Sequence, residues 1–287
     1  MKEPMCFFIP DRVSREAALQ RTTHLGVGAH PDDLEIMALH GILECQRRPD
    51  IWFAGITCTT GGANRKDGDQ AETELVEQRR REQNRAASLG GYSFVTQLGF
   101  SSREIQGTGL IRLERELIEM LAELRPGIIY THNPADKHPT HVAVLQAVVT
   151  ALRALPRDRR PARLLGCEVW RGLDWLADEF KHVLPIVDQC RLGRRLISVF
   201  RSQTRGKNYA AAAEGRRRAN ATFFQPRQDD HDEQISFAID LTALLDNEKL
   251  SLADFMKPLL KSFKHDVLAN LTATSAGPAA GKQFGTE

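Results

Sequence analysis

The sequence predicts an α/β fold in which helices cover both faces of a mostly parallel sheet. Short runs of β-forming residues alternate with longer amphipathic segments of helical periodicity, which is the pattern of repeated βαβ units. The runs are largely apolar, as expected for strands that are buried on both faces. Glycine or proline ends several of the amphipathic segments, which is a common way to stop a helix.

Five segments have the composition of buried strands. The clearest is 51–59, IWFAGITCT, a continuous apolar run that is rich in β-forming residues. The first predicted strand ends in glycine at position 28, and the fourth begins directly after the proline at position 126. In chain order, the predicted strands are 22–28, 51–59, 92–98, 127–131 and 163–169.

The segments between these strands place apolar residues on one face of a helix. In 111–124 the apolar residues recur every three or four positions, and Pro126-Gly127 ends the pattern. The longer segment 179–218 is also predicted to be helical, and it is basic. The other predicted helices are 15–20, 34–45, 72–89 and 141–152.

Composition limits the possible partners and the compartment. The 287 residues carry 39 basic and 37 acidic side chains, a net charge of +2, which predicts no general affinity for nucleic acid or membranes. No apolar run approaches the ~18 residues that a membrane span needs. The five cysteines form no CxxC pair, which predicts reduced thiols in a cytoplasmic protein.

The pattern along the chain divides it into three parts. Residues 1–21 are expected to form an N-terminal arm, because the alternating pattern begins only after them. Residues 22–269 are expected to form a single α/β domain. Residues 270–287 are small and polar, which predicts a mobile C-terminal tail.

Two segments rich in imidazole and carboxylate groups follow predicted strands. The first is 29–33, AHPDD, and the second is 133–141, NPADKHPTH. Each lies directly before a predicted helix. Because ligands of doubly wound sheets bind at the carboxyl ends of the strands, we expect the two segments to meet in one active site.

The residue types in these segments suit a catalytic metal. A catalytic zinc ion takes three protein ligands of the His, Asp or Glu type and keeps one position open. His30 and Asp33 are three residues apart at a turn, and His141 begins a later helix. We expect these three residues to bind zinc, although iron, cobalt or manganese would suit the same donors.

The remaining polar residues of the two segments suit hydrolysis. Zinc lowers the pKa of a bound water to ~7, and Asp32 is placed to act as the general base. A protonated His138 would stabilise the oxyanion that forms when water attacks a carbonyl. Asp136 lies two residues earlier and is expected to orient His138.

Structural interpretations of the same residues stay open at this point. HPDD could be an N-cap, since aspartate is favoured at a helix N-terminus, and a lone HxxH at a helix start is often structural. The occurrence of both motifs at strand-to-helix turns favours chemistry. His132 lies beside the second motif and could line the pocket, but no partner pattern singles it out, and it is interpreted as an ordinary histidine.

These motifs resemble those of the PIG-L/LmbE-like zinc-dependent N-deacetylases, which act on N-acetylglucosamine derivatives. The matching signature is GAHPDDLEI at 28–36 together with HPTH at 138–141. TTGG at 59–62, the RxxE pattern at 79–82 and the SQ…Y segment at 202–209 agree as well. The resemblance covers residues 22–219.

The resemblance implies a Rossmann-like α/β fold and the metal and catalytic roles given above. It implies that Arg79 contacts the sugar, and that His138 stabilises the oxyanion or protonates the leaving amine. The implied substrate is a small N-acetylated amino sugar or glycoconjugate, which loses its acetyl or similar acyl group. The oligomeric state stays open, and a homo-oligomer fits the resemblance.

The sequence departs from the family pattern near the expected substrate site. Relatives commonly carry an aspartate where this chain has Ser101 and Ser102, which makes an unusual substrate conceivable. Thr140 replaces the usual aspartate of the second motif, and its hydroxyl is expected to N-cap the following helix. Trp170 and Trp175 could stack on a sugar ring or pack in the core.

Two other functions compete with deacetylation. A non-catalytic α/β module could use the same crevice to bind a sugar or nucleotide without a metal. A zinc hydrolase could instead cleave a different amide, although the absence of an HExxH motif argues against a zincin.

Overall fold

The architecture is an eight-stranded mixed sheet with helices on both faces. The computed structural model describes residues 5–61, 69–187, 190–204, 206–225 and 229–275. The strands are β1 Cys6–Phe8, β2 His24–Gly28, β3 Phe53–Thr59, β4 Val95–Phe100, β5 Ile128–His132, β6 Arg163–Cys167, β7 His182–Pro185 and β8 Ile235–Asp240. Their order across the sheet is β1-β4-β3-β2-β5-β6-β8-β7.

Twelve α-helices occur within these described ranges. They are α1 Arg15–Gln20, α2 Asp33–Met37, α3 Leu39–Arg47, α4 Asp69–Gly90, α5 Ser102–Ile105, α6 Leu110–Glu123, α7 Pro139–Ala154, α8 Cys190–Ser198, α9 Arg201–Thr204, α10 Tyr209–Phe224, α11 Ala243–Asp246 and α12 Leu252–Ser275. None of the described helices combines the length and apolar character needed to cross a bilayer.

The parallel centre of the sheet confirms the predicted fold class. The five strands β4, β3, β2, β5 and β6 run parallel, and they correspond to the five strands that the sequence predicts. Strand β1 adds to one edge by antiparallel pairing with β4. Strand β8 pairs antiparallel with β6, and β7 pairs antiparallel with β8. The antiparallel strands at both edges make the sheet mixed.

Two elements differ from the helices that periodicity predicts. The predicted helix 34–45 is divided at Ala38, which leaves the helical region at φ −108° and ψ 18°. The predicted helical segment 179–218 contains β7, because His182–Pro185 pairs with β8 at the edge of the sheet.

Helix α12 continues to Ser275, into the segment that the sequence predicts to be a C-terminal tail.

Each face of the sheet buries its own apolar cluster. On one face, side chains of α6 and α7 such as Leu117 and Val148 pack with those of the last helices. On the other face, Leu34, Ile42 and Leu196 bring α2, α3 and α8 onto the sheet. Because both faces are covered, the central strands can be apolar throughout, as their sequences are. The carboxyl ends of these strands stay open for a site.

Helix α3 approaches β5 so closely that one position requires glycine. A Cβ atom on Gly41 would lie 2.6 Å from Cε2 of Tyr130, whose side chain is fully buried. We therefore expect Gly41→Ala to lower the free energy of unfolding by about 1–3 kcal/mol through overpacking. A urea titration would measure this change as a lower midpoint of unfolding, with an unchanged dependence of the free energy of unfolding on urea concentration.

Gly215 provides the matched control for this substitution. It also lies in a helix, α10, but nothing is within 4 Å of an added Cβ atom. Gly215→Ala should therefore raise stability by up to ~1 kcal/mol, since alanine favours a helix more than glycine does. Equal effects of the two substitutions would contradict the close packing of Gly41 on Tyr130.

Candidate active site

The two polar segments meet at the carboxyl ends of β2 and β5, which are neighbours in the sheet. The chain leaves β2 through 29–33, and it leaves β5 through 133–141. Between them opens a cavity of about 340 Å³, whose lining includes His30, Asp32, Asp33 and His138. The sequence therefore predicted correctly that these segments come together at this edge of the sheet.

Three side chains converge on one point beside the cavity. His30 Nδ1 lies 3.2 Å from His141 Nε2, and Asp33 Oδ2 lies 3.3 Å from His30 Nδ1 and 3.5 Å from His141 Nε2. Tetrahedral coordination at Zn–N and Zn–O bonds of ~2.0–2.1 Å separates neighbouring ligand atoms by about 3.3 Å. The spacing of these three atoms therefore fits a single ion of that size.

The charge state of Asp33 also suits a metal ligand. Burial by itself would raise the pKa of Asp33, but the imidazoles of His141, His132 and His30 outweigh burial and hold this pKa well below its usual range. The carboxylate is therefore ionised despite being almost fully buried. An ionised carboxylate beside imidazole nitrogens is a donor set that divalent transition metals accept.

His132 belongs to the same cluster, which the sequence interpretation as an ordinary histidine missed. It is fully buried, its ring stacks on that of His141 at 3.9 Å, and Nε2 lies 3.5 Å from Asp33 Oδ2. The atoms of Asp33, His132 and His141 could also surround an ion. However, Nε2 of His132 accepts the backbone N–H of Ala29 at 2.9 Å, so its lone pair is already used.

Asp136 orients a different histidine from the one expected. Its Oδ2 atom lies 3.3 Å from Nδ1 of His141, and its Oδ1 atom accepts the backbone N–H of His138 at 2.9 Å. The expected contact with the ring of His138 is therefore wrong, because the turn at 136–138 directs the carboxylate toward helix α7. A carboxylate behind a metal-binding imidazole fixes the ring orientation and leaves Nε2 free for the ion.

His138 faces the cavity, and its neighbours disfavour the protonated form that we expected from the sequence. The ring stacks on His141 at 4.6 Å and meets His30 edge-on at 4.9 Å. Burial, together with these two imidazoles, lowers the pKa of His138 to about 4. A neutral imidazole still carries one N–H, so His138 can donate a hydrogen bond into the cavity.

Asp32 is a buried carboxylate that borders the cavity without belonging to the three-atom cluster. Its backbone has φ 91°, a left-handed conformation, and its side chain makes no cap hydrogen bond to α2. Asp32 therefore occupies the N-cap position of α2, as the structural interpretation of HPDD expected, but its side chain does not cap the helix. Burial, with the nearby charges of Asp33 and Glu35, raises the pKa of Asp32 well above its usual value. Such a group can exchange protons nearer neutral pH.

Arg79 extends from α4 into the cavity, where hydrogen bonds to neighbouring segments hold its guanidinium group in place. Its guanidinium donates to the Gly61 carbonyl and to Oε1 of Gln203 at 3.0 Å. Gln203 in turn donates to the carbonyl of Pro31 at 2.9 Å. This chain of bonds ties α9 to the turn that carries Asp32. Arg79 lines the cavity, as expected of a residue that contacts substrate.

The two serines that replace the expected aspartate have distinct structural roles. Ser101 forms a capping box with Glu104 at the start of α5. The hydroxyl of Ser102 lies 3.2 Å from Nε2 of His30, on the opposite side of the ring from Nδ1. Ser102 therefore fixes the orientation of His30 with Nδ1 directed at the cluster, a role that no motif in the sequence indicates.

Ser102→Ala should weaken metal binding without unfolding the protein. Loss of a residue that orients a metal-binding histidine typically lowers metal affinity by about 10–100-fold. Ser101→Ala serves as the control, because it removes a helix cap and should lower stability by ~1 kcal/mol while leaving metal affinity unchanged. Titration with a fluorescent zinc chelator measures both affinities, and equal affinities for the two variants would contradict the role of Ser102.

Thr140 does not cap the helix, contrary to expectation. Helix α7 begins at Pro139, its N-cap residue is His138, and no side chain caps it. The hydroxyl of Thr140 instead accepts a hydrogen bond from Nε2 of Gln106 at 2.6 Å. This bond connects the second motif to Gln106, directly after α5. Thr140 is not at the N-cap position because it already lies inside the helix.

Aromatic side chains form one wall of the cavity. Trp170 and Tyr209 both line it, with ring centroids 6.2 Å apart, and Trp170 lies 5.9 Å from His138. Trp175 packs against Phe263 of α12 instead. Of the two tryptophans considered from the sequence, Trp170 alone lines the cavity and is available to a ligand there.

Comparison with known proteins identifies the domain that carries this site. Residues 25–152 match the PIG-L family, described as GlcNAc-PI de-N-acetylase. The chain is 26% identical over 151 residues to the uncharacterized deacetylase YaiS of Escherichia coli, covering 51% of this chain and 77% of YaiS. It is 25% identical over 136 residues to a probable N-acetyl-alpha-D-glucosaminyl L-malate deacetylase 2 of Bacillus anthracis, covering 46% of this chain and 60% of that protein.

A solved structure has the same fold. The N,N'-diacetylchitobiose deacetylase from Pyrococcus horikoshii superposes with a TM-score of 0.61 at 16% identity, covering 79% of this chain and 86% of that chain. At this identity the likeness concerns the fold alone. Residues 25–152, which include both polar segments of the site, therefore match the PIG-L family, and two relatives of the chain are named as deacetylases.

Proposed function

We propose that the protein is a metal-dependent hydrolase that removes the acetyl group, or a similar acyl group, from an N-acetylglucosamine-type amino sugar. The observation that carries this proposal is the arrangement of His30 Nδ1, Asp33 Oδ2 and His141 Nε2 around one point, with Asp32 lining the cavity beside them. Three ligands and a separate base are what metal-assisted hydrolysis of an amide requires.

His30, Asp33 and His141 are the residues proposed to hold the ion. Zinc is the preferred candidate, because two imidazoles and one carboxylate form a common catalytic zinc site, although other divalent transition metals suit the same donors. When bound, the ion supplies a Lewis acid that polarises a carbonyl group and lowers the pKa of water. Asp136, in contact with His141, is proposed to act as the positioning residue behind this ligand.

Asp32 is proposed to move the protons of the reaction. Its carboxylate accepts a proton from the attacking water as the new C–O bond forms, and then returns that proton to the nitrogen as the C–N bond breaks. His138 donates its N–H to the carbonyl oxygen, where negative charge develops. The products are then acetate and the protonated amine, because the acid proton of the newly formed carboxyl group passes to the amine nitrogen.

The walls of the cavity support a sugar substrate. The faces of Trp170 and Tyr209 suit the apolar face of a pyranose ring, and Arg79, which also lines the cavity, offers a hydrogen-bond donor. The names of the relatives support the same substrate class, since they include an N-acetyl-glucosaminyl malate deacetylase and a diacetylchitobiose deacetylase.

A cytoplasmic location is also part of the proposal. Four cysteines are unpaired, as thiols are in a reducing compartment: Cys6, Cys45, Cys58 and Cys167.

A panel of N-acetylated amino sugars tests the proposed function. The purified protein, loaded with zinc, is incubated with N-acetylglucosamine, its malate glycoside and diacetylchitobiose, and both acetate and free amine are measured. We expect equal amounts of the two products from at least one substrate, loss of activity with a chelator, and recovery on addition of zinc. Tight binding of a sugar without product, and without a metal requirement, would instead indicate a binding module.

A further inference from the structure

A second groove lies beside the cavity, and its lining is dominated by arginine. The groove has a volume of about 490 Å³ and runs between α4 and the α8–α9 segment. It is separated from the cavity by α9, since Arg201 of this short helix lines the groove and Gln203 lines the cavity. The arginines that line the groove are Arg81, Arg85, Arg194, Arg195 and Arg201.

Acidic partners neutralise few of these positive charges. Arg194 bonds to the Glu214 carboxylate at 2.6 Å and 2.8 Å, so its charge is compensated. Glu82, an acidic residue of the lining, accepts hydrogen bonds from Ser202 and Gln78. Within the part of the chain that the structure describes, the other four arginines have no carboxylate within ion-pair distance.

The arginines are exposed, so water and salt weaken their mutual repulsion, and a bound anion would compensate it further. Like charges facing each other across a groove repel, and the balanced net charge of +2 for the whole chain makes this local excess distinctive. The basic residues that line the groove are all arginines. The planar guanidinium group binds phosphate oxygens through two parallel hydrogen bonds, whereas lysine acts as a point charge.

We propose that this groove binds a phosphate-bearing group, most favourably a diphosphate. A diphosphate carries several negative charges, which match the four uncompensated arginines, whereas a single carboxylate carries one. The volume of about 490 Å³ suits a small group of this kind rather than a nucleic-acid duplex. The group can belong to a free phosphorylated molecule or to a lipid headgroup, since both present the same oxygens. This site is distinct from the proposed reaction site.

The test compares two double variants that lose the same charge. Arg85→Gln with Arg195→Gln removes one arginine from each side of the groove. Arg115→Gln with Arg125→Gln removes two exposed arginines elsewhere, on and just after α6. Inorganic pyrophosphate, titrated by calorimetry, serves as the soluble probe. Vesicles of phosphatidylcholine with one-fifth phosphatidic acid serve as the lipid probe in a flotation assay.

We expect the wild-type chain and the control variant to bind at least one probe, and the groove variant to bind it at least tenfold more weakly. The probe that binds identifies the source of the phosphate group. Deacetylation of an uncharged amino sugar should be unchanged in the groove variant, which separates this result from the proposed reaction. Failure of the wild type to bind either probe, or equal weakening in both variants, would overturn the proposal.

Discussion

Replacement of Asp32 by asparagine should lower the rate of deacetylation by about 10²–10⁴-fold while leaving the metal bound. Asparagine has nearly the same shape as aspartate but cannot accept the proton of the attacking water. The left-handed backbone at Asp32, with φ 91°, is a conformation that asparagine also adopts readily, so the turn should keep its shape. The three proposed ligand atoms belong to other residues and stay in place. Steady-state kinetics, with zinc content measured on the same samples, checks this expectation.

Asp174→Asn is the matched control for this prediction. Asp174 is an exposed carboxylate outside the lining of the cavity, so its replacement should leave both the rate and the metal content at wild-type values. If Asp32→Asn keeps its zinc and deacetylates at the wild-type rate, another group must accept the proton. If the variant instead loses its zinc, Asp32 contributes to metal binding, and the division of roles among the carboxylates would need to change.

The central part of the fold was predictable because its signals are local. Strands such as β3, which are buried on both faces, must be apolar along their whole length, and this makes them visible in the sequence. The edge strands β1 and β7 have three and four residues, too few for a periodic pattern to emerge. Strand β7 exists because β8 offers it a pairing edge, and that edge comes from a segment far along the chain.

The polar residues that support the site were less predictable than the site itself. His30, Asp33 and His141 lie in recognisable motifs, whereas Ser102 and His132 acquire their roles only when distant strands come together. Glu168 is a further example, since its buried carboxylate accepts N–H groups from Leu173, Asn220 and Phe237 and so joins β6 to α10 and β8. A single glutamate after a strand gives no signal of such a role. Its function depends on partners up to 69 positions away.

The charge state of His138 was not predictable for a related reason. The motif suggests a protonated imidazole, but burial of this ring, together with its packing against two other histidines, lowers its pKa to about 4. Several imidazoles lie close together here because the two motifs follow β2 and β5, which are neighbours in the sheet. The same convergence that brings the three proposed ligand atoms together therefore disfavours a positive charge on His138.

His141→Ala should abolish metal binding and, with it, activity. The substitution removes one of three proposed protein ligands, and the remaining pair, His30 and Asp33, would have to hold the ion alone. We expect metal affinity to fall by more than the ~10–100-fold that follows loss of an orienting residue. Zinc content after gel filtration checks the result. Thermal unfolding with and without zinc gives a second readout, because an ion at 100 times its Kd stabilises the wild type by ~2.7 kcal/mol.

The second readout keeps this prediction testable even if the substitution destabilises the fold. His141 is fully buried and stacks on both His132 and His138, so alanine will lower the unfolding temperature in the absence of metal as well. The decisive quantity is the increase in unfolding temperature on addition of zinc, which should vanish in His141→Ala. It should persist in His40→Ala, a half-buried histidine that lies against Pro185. An undiminished zinc response in His141→Ala would remove His141 from the ligand set and make His138, which lies beside His30, the alternative donor.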